Sequence, residues 1–326
     1  MSLNMPLPSI KKLSSTEAFE SLQAHAHASR KYAAMYSSWL GGIVTDPNLM
    51  IVPIDDHGFH RGDAVFEAAK AVDGKIYALD RHLDRMHVSA GKIGLTMPKN
   101  LREIAIETTR ASALSNAILR YYVSRGPGGF TTNPYESVGS QTYLVITPLT
   151  PPSAAKYEAG VSAMTSAVPI KEGFFSTVKS CNYLPNVMMK KEAVDAGVDF
   201  TVSIDHEGVL AEGSTENFAI IDEAGVFRVP SFDRMLKGVT LIRMMELANE
   251  RPELRSLIKG VQQGPIRIQD VLKAKEAMFL GTTLDCLPVT KYDGHKIGTG
   301  ARGPVADAFQ KALVQDIEAG PLSIQI

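Results

Sequence analysis

Residues 176–192, STVKSCNYLPNVMMKKE, pass from strand-like chain into a helix and carry Lys179 at the change. Pro185 stands near the first turn of that helix and Gly197 just past its end, the asymmetry expected of helix boundaries. Val178, Cys181, Tyr183 and Leu184 surround Lys179 in the chain. A lysine held among uncharged neighbours loses solvation of its charged form, so its pKa falls and the neutral amine becomes a usable nucleophile. The plain alternative is a surface lysine, which is how Lys190 and Lys191 read, on the solvated side of the helix.

Outward from this stretch, strands come in clusters joined by tight turns. Downstream, short strands are predicted at 200–205, 209–212 and 217–221, with turns at 205–208 and 223–225. A helix follows at 240–249, a strand at 277–280 and a closing helix at 304–317. Upstream lie a strand at 161–168 and the sequence PLTPPS (148–153), whose three prolines mark a linker. Before it come strands at 141–147 and 117–124, helices at 100–115 and 81–94, and a hairpin turning on Gly41-Gly42. Residues 15–35 read as a helix capped by Ser15 or Thr16, after a poorly ordered Pro- and Lys-bearing segment at 1–13. Helices between hairpin clusters, rather than strict βαβ alternation, predict two α+β domains. The expected division is an N-terminal extension (1–34), a small domain (35–148), a linker (149–155) and a larger domain with the lysine (156–326).

Composition narrows the function. The 326 residues hold 34 Lys+Arg and 35 Asp+Glu, a formal net charge of −1, which speaks against a dedicated nucleic-acid binder. No apolar run reaches the ~20 residues of a membrane span. Two cysteines, Cys181 and Cys286, exclude a disulfide framework and fit a reducing, cytoplasmic setting.

Four further segments carry candidate chemistry. In VLAEGSTENFAI (209–220), Glu212 ends a strand before a turn of open amides; it can pair with a cationic ring nitrogen or simply bond the turn. In LKGVTLIRMMELA (236–248), Gly238 permits close approach, and the amides of Val239 and Thr240 open a helix whose positive end suits a phosphate. FLGTTLDCLPV (279–289) offers the hydroxyls of Thr282 and Thr283, and DRHLDRMHVSAGKIGL (80–95) offers Arg85 as a phosphate clamp. An amine, a carboxylate and several anion-binding devices are the parts a pyridoxal phosphate site needs.

With these residues in view, the chain resembles the class IV (fold type IV) pyridoxal-phosphate aminotransferases, which include branched-chain and D-amino-acid aminotransferases and 4-amino-4-deoxychorismate lyase. The matching stretches are DDHGFHRGDAVFEAAK, RHLDRMHVSAGKIGL, VKSCNYLPNVMMKKEAVDAG, GVLAEGSTENFAI, MLKGVTLIRMMELA and FLGTTLDCLPVTKYDG, in family order. VKSCNYLPNV and RYYVSRGPGGF look closest to the plant-type D-amino-acid aminotransferase and deoxychorismate lyase relatives. The resemblance implies that Lys179 forms the Schiff base with pyridoxal 5'-phosphate and moves the proton. It implies that Glu212 pairs with the pyridine nitrogen, and that Arg85, Gly238, Val239, Thr240 and Thr282 hold the phosphate. Tyr183 would approach the cofactor's 3'-oxygen. The Lys179-to-Tyr183 spacing is one residue shorter than in the branched-chain enzymes, so Asn182 or a water is the alternative.

Substrate contacts are expected from Arg120, Arg61, Phe66 and Thr283. Arg120 lies where branched-chain enzymes carry an arginine for a distal carboxylate. The loop RGPGGFTT lacks the second arginine and the histidine of the RGTSPRAH-like loop in D-amino-acid enzymes. Arg61 either replaces that trap or pairs with Asp63. The implied substrates are an amino acid and a 2-oxo acid exchanged by a ping-pong route, in a homodimer or higher homo-oligomer. The alternatives are β-elimination of pyruvate from 4-amino-4-deoxychorismate and a non-catalytic pyridoxal-phosphate-binding protein. Asp55-Asp56-His57 with His60 has the residue types of a metal site but no second cluster, and no metal is expected. His25 and His27 read as solvent-exposed, on opposite sides of the helix. Cys181 reads as a packed core residue, and Gly126–Phe130 as a flexible substrate loop.

Overall fold

The structure, a computed structural model, describes residues 10–24, 31–171 and 173–326. The readings for residues 1–9 and for His25 and His27 lie outside the described residues. Helix α1 (Ser15–Ala24) is capped by Ser14 rather than by Ser15 or Thr16. Ser14 Oγ accepts from the Glu17 amide at 3.2 Å, and the Glu17 carboxylate accepts from the Ser14 amide at 2.9 Å. No residue of α1 is buried, and the chain is already a strand by Ala34, so the helix does not run on to 35.

The first sheet starts with β1 (Ala34–Ser37) and β2 (Gly42–Val44), a hairpin in which Gly41 takes φ +77°. Helix α2 (His57–Arg61) leads into β3 (Ala64–Val72) and β4 (Lys75–Tyr77). Helices α3 (Leu79–Lys92) and α4 (Leu101–Ala111) come next, and then β5 (Ala117–Ser124) and β6 (Gln141–Pro148). All pairs are antiparallel, in the order β4-β3-β5-β6-β1-β2. The helices cover one face, burying Val65, Leu79, Met86, Leu119 and Leu144 in one core. Side chains of β3 alternate: Val65, Ala69 and Ala71 enter that core, whereas Phe66 and Ala68 look the other way into a cavity. Four alanines and two charged residues in nine positions hide this strand from propensity, and it has no counterpart among the predicted elements.

After β6 no helix or strand falls in 149–153. The second half comprises α5 (Ala154–Ala159), β7 (Val161–Thr165), α6 (Leu184–Asp195), β8 (Phe200–Ile204), β9 (Leu210–Gly213) and β10 (Asn217–Ile221). It continues with β11 (Phe227–Val229), α7 (Val239–Glu250), α8 (Pro252–Leu257), β12 (Val261–Gln263) and α9 (Ile268–Lys273). The hairpin β13 (Glu276–Gly281) and β14 (Asp285–Tyr292), then β15 (His295–Lys296) and α10 (Pro304–Ala319), complete it. Strands β10-β13-β14-β7-β8-β9 close on themselves through Asn217 opposite Glu212. Strand β7 runs parallel to both β14 and β8, so α6 bridges a parallel pair where the sequence predicts hairpin clusters with helices between them. The closed ring is packed by Phe218, Phe279, Leu287 and Tyr292, while α7 and α10 bury Leu241, Met244 and Phe309 on β10 and β13.

The last strand, β16 (Ser323–Gln325), pairs with β4 and extends the first sheet. Its Ile324, with Ile326 just beyond it, packs against the first core. The expected division, which ran the second domain through 326, thus places this strand in the wrong sheet. The edge of β4 needed a partner, and a short C-terminal segment supplies it.

Candidate active site

The face of the first sheet that α3 and α4 leave open meets the rim of the closed ring, and between them lies a cavity of about 430 Å³. Its floor is Phe66 and Ala68 of β3 with Arg120 and Tyr122 of β5. The β3–β5 register sets Phe66 opposite Tyr122 and Ala68 opposite Arg120, so the four alternate positions face one way. The second half supplies Lys179 and Tyr183 ahead of α6, Glu212 of β9, the Gly238–Thr240 helix start and the Gly281–Thr283 turn.

Lys179 is fixed through its backbone. Its carbonyl accepts from the Phe66 amide at 2.9 Å and its own amide donates to Ser89 Oγ at 3.2 Å. The ammonium sits 4.6 Å from the centre of the Phe66 ring. Burial, with the Arg85 charge adding to it, pulls this amine down to about 8, and the carboxylates of Glu67 and Glu212 only partly oppose the fall. Burial pushes Glu212 the other way, upward, and the nearby Lys179 charge and the Leu236 amide restrain the rise. Glu212 Oε2 accepts from Leu236 N–H at 3.2 Å and from Asn217 Nδ2 at 3.4 Å.

Gly238 precedes α7, and no side chain caps this helix. The first amides of α7 have no partner one turn back, so they are free to take an anion from the cavity. A Cβ on Gly238 would overlap Asn217 Oδ1, which gives the glycine a steric reason independent of its backbone angles. Across the cavity, Arg85 of α3 is held by Glu67. Nε donates to Oε1 at 3.2 Å, Nη2 donates to both carboxylate oxygens at 2.8 and 2.9 Å, and Nη1 donates to the Lys237 carbonyl at 2.9 Å. His82 Nδ1 lies 2.6 Å from Glu67 Oε2. Glu67 is ionised and accepts only, because Arg85 and His82 outweigh its burial and hold it down at about 2; Nδ1 therefore donates. Burial keeps His82 neutral by lowering its pKa.

Eleven of the twelve sequence-predicted site residues line this one cavity: Lys179, Glu212, Arg85, Gly238, Val239, Thr240, Thr282, Tyr183, Arg120, Phe66 and Thr283. Arg61 does not. Its guanidinium donates to the carbonyls of Thr131 (3.2 Å), Phe130 and His60 (3.3 Å), so it ties down the loop after β5. Nor does it pair with Asp63, which takes Arg125 at 2.9 Å. The 126–130 loop, read as flexible, is further latched by His57 Nε2 on the Gly129 carbonyl at 2.9 Å. The Asp55–His60 segment is architectural. Asp56 accepts from Ser124 at 2.8 Å, from Tyr143 at 2.9 Å and from the Gly58 amide at 2.8 Å. Among the described residues no three His, Cys, Asp or Glu side chains converge as a metal cage.

Sequence reading missed Glu67, His82, Asn217 and Tyr122. Glu67 and His82 carry a signal in retrospect, being charged or polar residues in otherwise apolar periodic faces. Asn217 has only its place five residues after Glu212.

The donor set fits a phosphorylated pyridine aldehyde: free helix amides and an arginine for the dianion, a buried carboxylate for the ring nitrogen, and an amine of lowered pKa for the carbonyl. Residues 64–292 match the family described as class IV amino-transferase, and the chain belongs to that family, whose aminotransferases use pyridoxal 5'-phosphate. The chain is 36% identical over 318 residues to the chloroplastic D-amino-acid transaminase of Arabidopsis thaliana, covering 96% of this chain and 84% of that one. It is 31% identical over 279 residues to a putative branched-chain-amino-acid aminotransferase of Methanocaldococcus jannaschii, covering 84% of this chain and 93% of the relative. In fold it matches the branched-chain amino acid aminotransferase of Escherichia coli with a TM-score of 0.82 at 23% identity, over 90% of this chain and 99% of the other.

Proposed function

We propose that Lys179 and Glu212 are the reacting pair of this aminotransferase, and that its substrates are amino acids of the D- or branched-chain type. The observation that carries the reading is their convergence with the uncapped start of α7 in one cavity. When bound there, pyridoxal 5'-phosphate supplies an electron sink for the amino-group transfer. Val239 and Thr240 amides, with Thr282 and Arg85, hold the phosphate, and Gly238 lets it approach. Glu212 holds a negative charge against the ring nitrogen. Lys179 Nζ, with its lowered pKa, accepts and returns a proton near neutral pH. Phe66 lies beneath that amine and Tyr183 edges the Phe66 ring at 5.1 Å, which together exclude water from one side.

Arg120 and Tyr122 also wall a second, more apolar cavity of about 610 Å³ that includes Met35, Met50, Val52 and Val145. A substrate side chain extending into it meets apolar surface, with Arg120, shared by the two cavities, placed for a carboxylate and Thr283 on the wall of the first. The same scaffold serves β-elimination from 4-amino-4-deoxychorismate, because Lys179, Glu212 and the phosphate site are common to both reactions.

The arrangement into two sheets supports domains at 35–148 and 156–326, with the terminal strand returned to the first and the cavity between them. The chain is proposed to act as a homodimer or higher homo-oligomer in the cytoplasm. Free Cys181 and Cys286 suit that compartment, and among the described residues no helix is long and apolar enough to cross a membrane.

The deciding experiment feeds both enantiomers of each amino acid singly to the purified protein and follows conversion to the pyridoxamine form. Turnover with one enantiomeric series is expected. No half-reaction with any amino acid, together with release of 4-aminobenzoate from aminodeoxychorismate, would replace the transaminase reading by the lyase. A Lys179→Ala protein that keeps chromophore and turnover would remove Lys179 from its role.

A further inference from the structure

Phe66, Ala68 and Lys70 occupy successive positions on the cavity-facing side of β3. The first two form the cavity floor, and the third leaves it to reach the other sheet. Lys70 Nζ forms an ion pair with Asp285 of β14, and the two side chains are only 5% and 16% exposed. Charges so enclosed are tolerated when each satisfies the other, and the pair then fixes the distance between the elements that bear it.

Asp285 ends the turn that carries the two cavity threonines. Leu284 N–H closes that turn on the Gly281 carbonyl at 3.3 Å, and Asp285 follows in the left-handed region with φ +54°. From the other side Tyr157 Oη of α5 donates to the Leu284 carbonyl at 3.0 Å. The turn bearing Thr282 and Thr283 is thus gripped from the first sheet by Lys70 and from the segment after the linker by Tyr157.

We propose that the Lys70–Asp285 pair positions the Gly281–Asp285 turn against the β3 floor, making both of them positioning residues for the hydroxyls of Thr282 and Thr283. The inference rests on the pyridoxal phosphate reading of the cavity. Neither side chain lines the cavity; they act through the placement of the turn. Loss of the pair lets the turn drift from the floor, which weakens the hold on phosphate and on the substrate together.

The test uses the full-length holoenzyme and Lys70→Met, Asp285→Asn, the double variant and Lys70→Arg. Asn keeps the left-handed backbone at 285 while removing the charge. Cofactor affinity is read by stripping and retitrating the chromophore, alongside KM, kcat and the melting temperature. Each single variant is expected to weaken cofactor binding on the order of tenfold and to raise KM more than it lowers kcat. The double variant should be no worse than either single one and should melt near the wild type, because no lone charge is left buried. Lys70→Arg should recover part of the affinity. A double variant with wild-type affinity and KM would overturn the inference, as would single variants that lose melting temperature alone. A wild-type holoenzyme without chromophore would instead sink the reading of the cavity itself.

Discussion

Glu67 grips Arg85 through two guanidinium nitrogens at 2.8 to 3.2 Å, so the arginine arrives at the cavity wall already charge-balanced and oriented. Glu67 stands on β3 one position along from the Phe66 that lies under Lys179, so one strand supplies the contacts that set both Arg85 and Lys179.

Replacing Glu67 by Gln should cost about 3 kcal/mol of stability at pH 7, since it leaves Arg85 buried without its counter-charge. The sign of the pH dependence follows from the lowered pKa of Glu67, about 2 in the folded protein against 4.5 ordinarily. Its contribution is complete above pH ~4.5 and fades as pH falls toward ~2. Urea titrations of both proteins from pH 7 to pH 3 should therefore show the gap between them narrowing toward the acid end. A constant gap would show that the carboxylate charge is not what is lost.

The lowered pKa of Lys179 predicts how stripped protein takes up pyridoxal 5'-phosphate. The rate should rise with pH to a half-maximum near the amine's value of about 8, far below the 10.5 of an ordinary lysine. Glu212→Gln removes a negative neighbour that favours the ammonium, so the half-maximum should move to lower pH. Stopped-flow absorbance measures both; a shift to higher pH would contradict the assigned electrostatics.

Gly238→Ala places a methyl group against Asn217 Oδ1. A loss of about 1–3 kcal/mol is expected, as for other overpacked sites, together with weaker cofactor binding as Asn217 is pushed off Glu212. Combining it with Asn217→Ser should restore much of the stability. If the double variant melts at the sum of the two losses, the contact is not the cause.

Arg61 and Arg120 should separate cleanly. Arg120→Leu is expected to raise KM on the order of tenfold for substrates with a second carboxylate, by removing a charge-assisted contact. Arg61→Leu should leave that KM unchanged and instead speed amide exchange around Phe130 and Thr131, whose carbonyls it holds. Hydrogen exchange read by mass spectrometry tells the two roles apart.

The parts of the site that repeat a local chemical logic were legible from the chain alone. Lys179 at a strand-to-helix change, Glu212 before an open turn and Gly238-Val239-Thr240 at a helix start each announce themselves within about ten residues. Arg61 misled because HRGD offers an arginine beside a turn, whereas the carbonyls it meets lie about seventy positions further on. Glu67 stayed hidden because its meaning depends on α3 packing over β3, and an alanine-rich strand gives no β-propensity to place it there. In the fold, the long helices α3, α4, α6, α7 and α10 followed from apolar spacing and boundary residues, whereas the short α2, α5, α8 and α9 left no periodic run to read. The parallel pairing of β7 with β14 did not, since pairing between distant segments leaves no local pattern.

Strand β16 ties the first sheet to a segment far along the chain. The Ala78 amide just before α3 donates to the Leu322 carbonyl, and Ile326 reaches back to Gly74. During synthesis, β4 and the helix that bears Arg85 emerge about 245 residues before β16, so the β4 edge stays unpaired until the ribosome has delivered α10 and the strand beyond it, and the first sheet must be shielded from other strands over that interval.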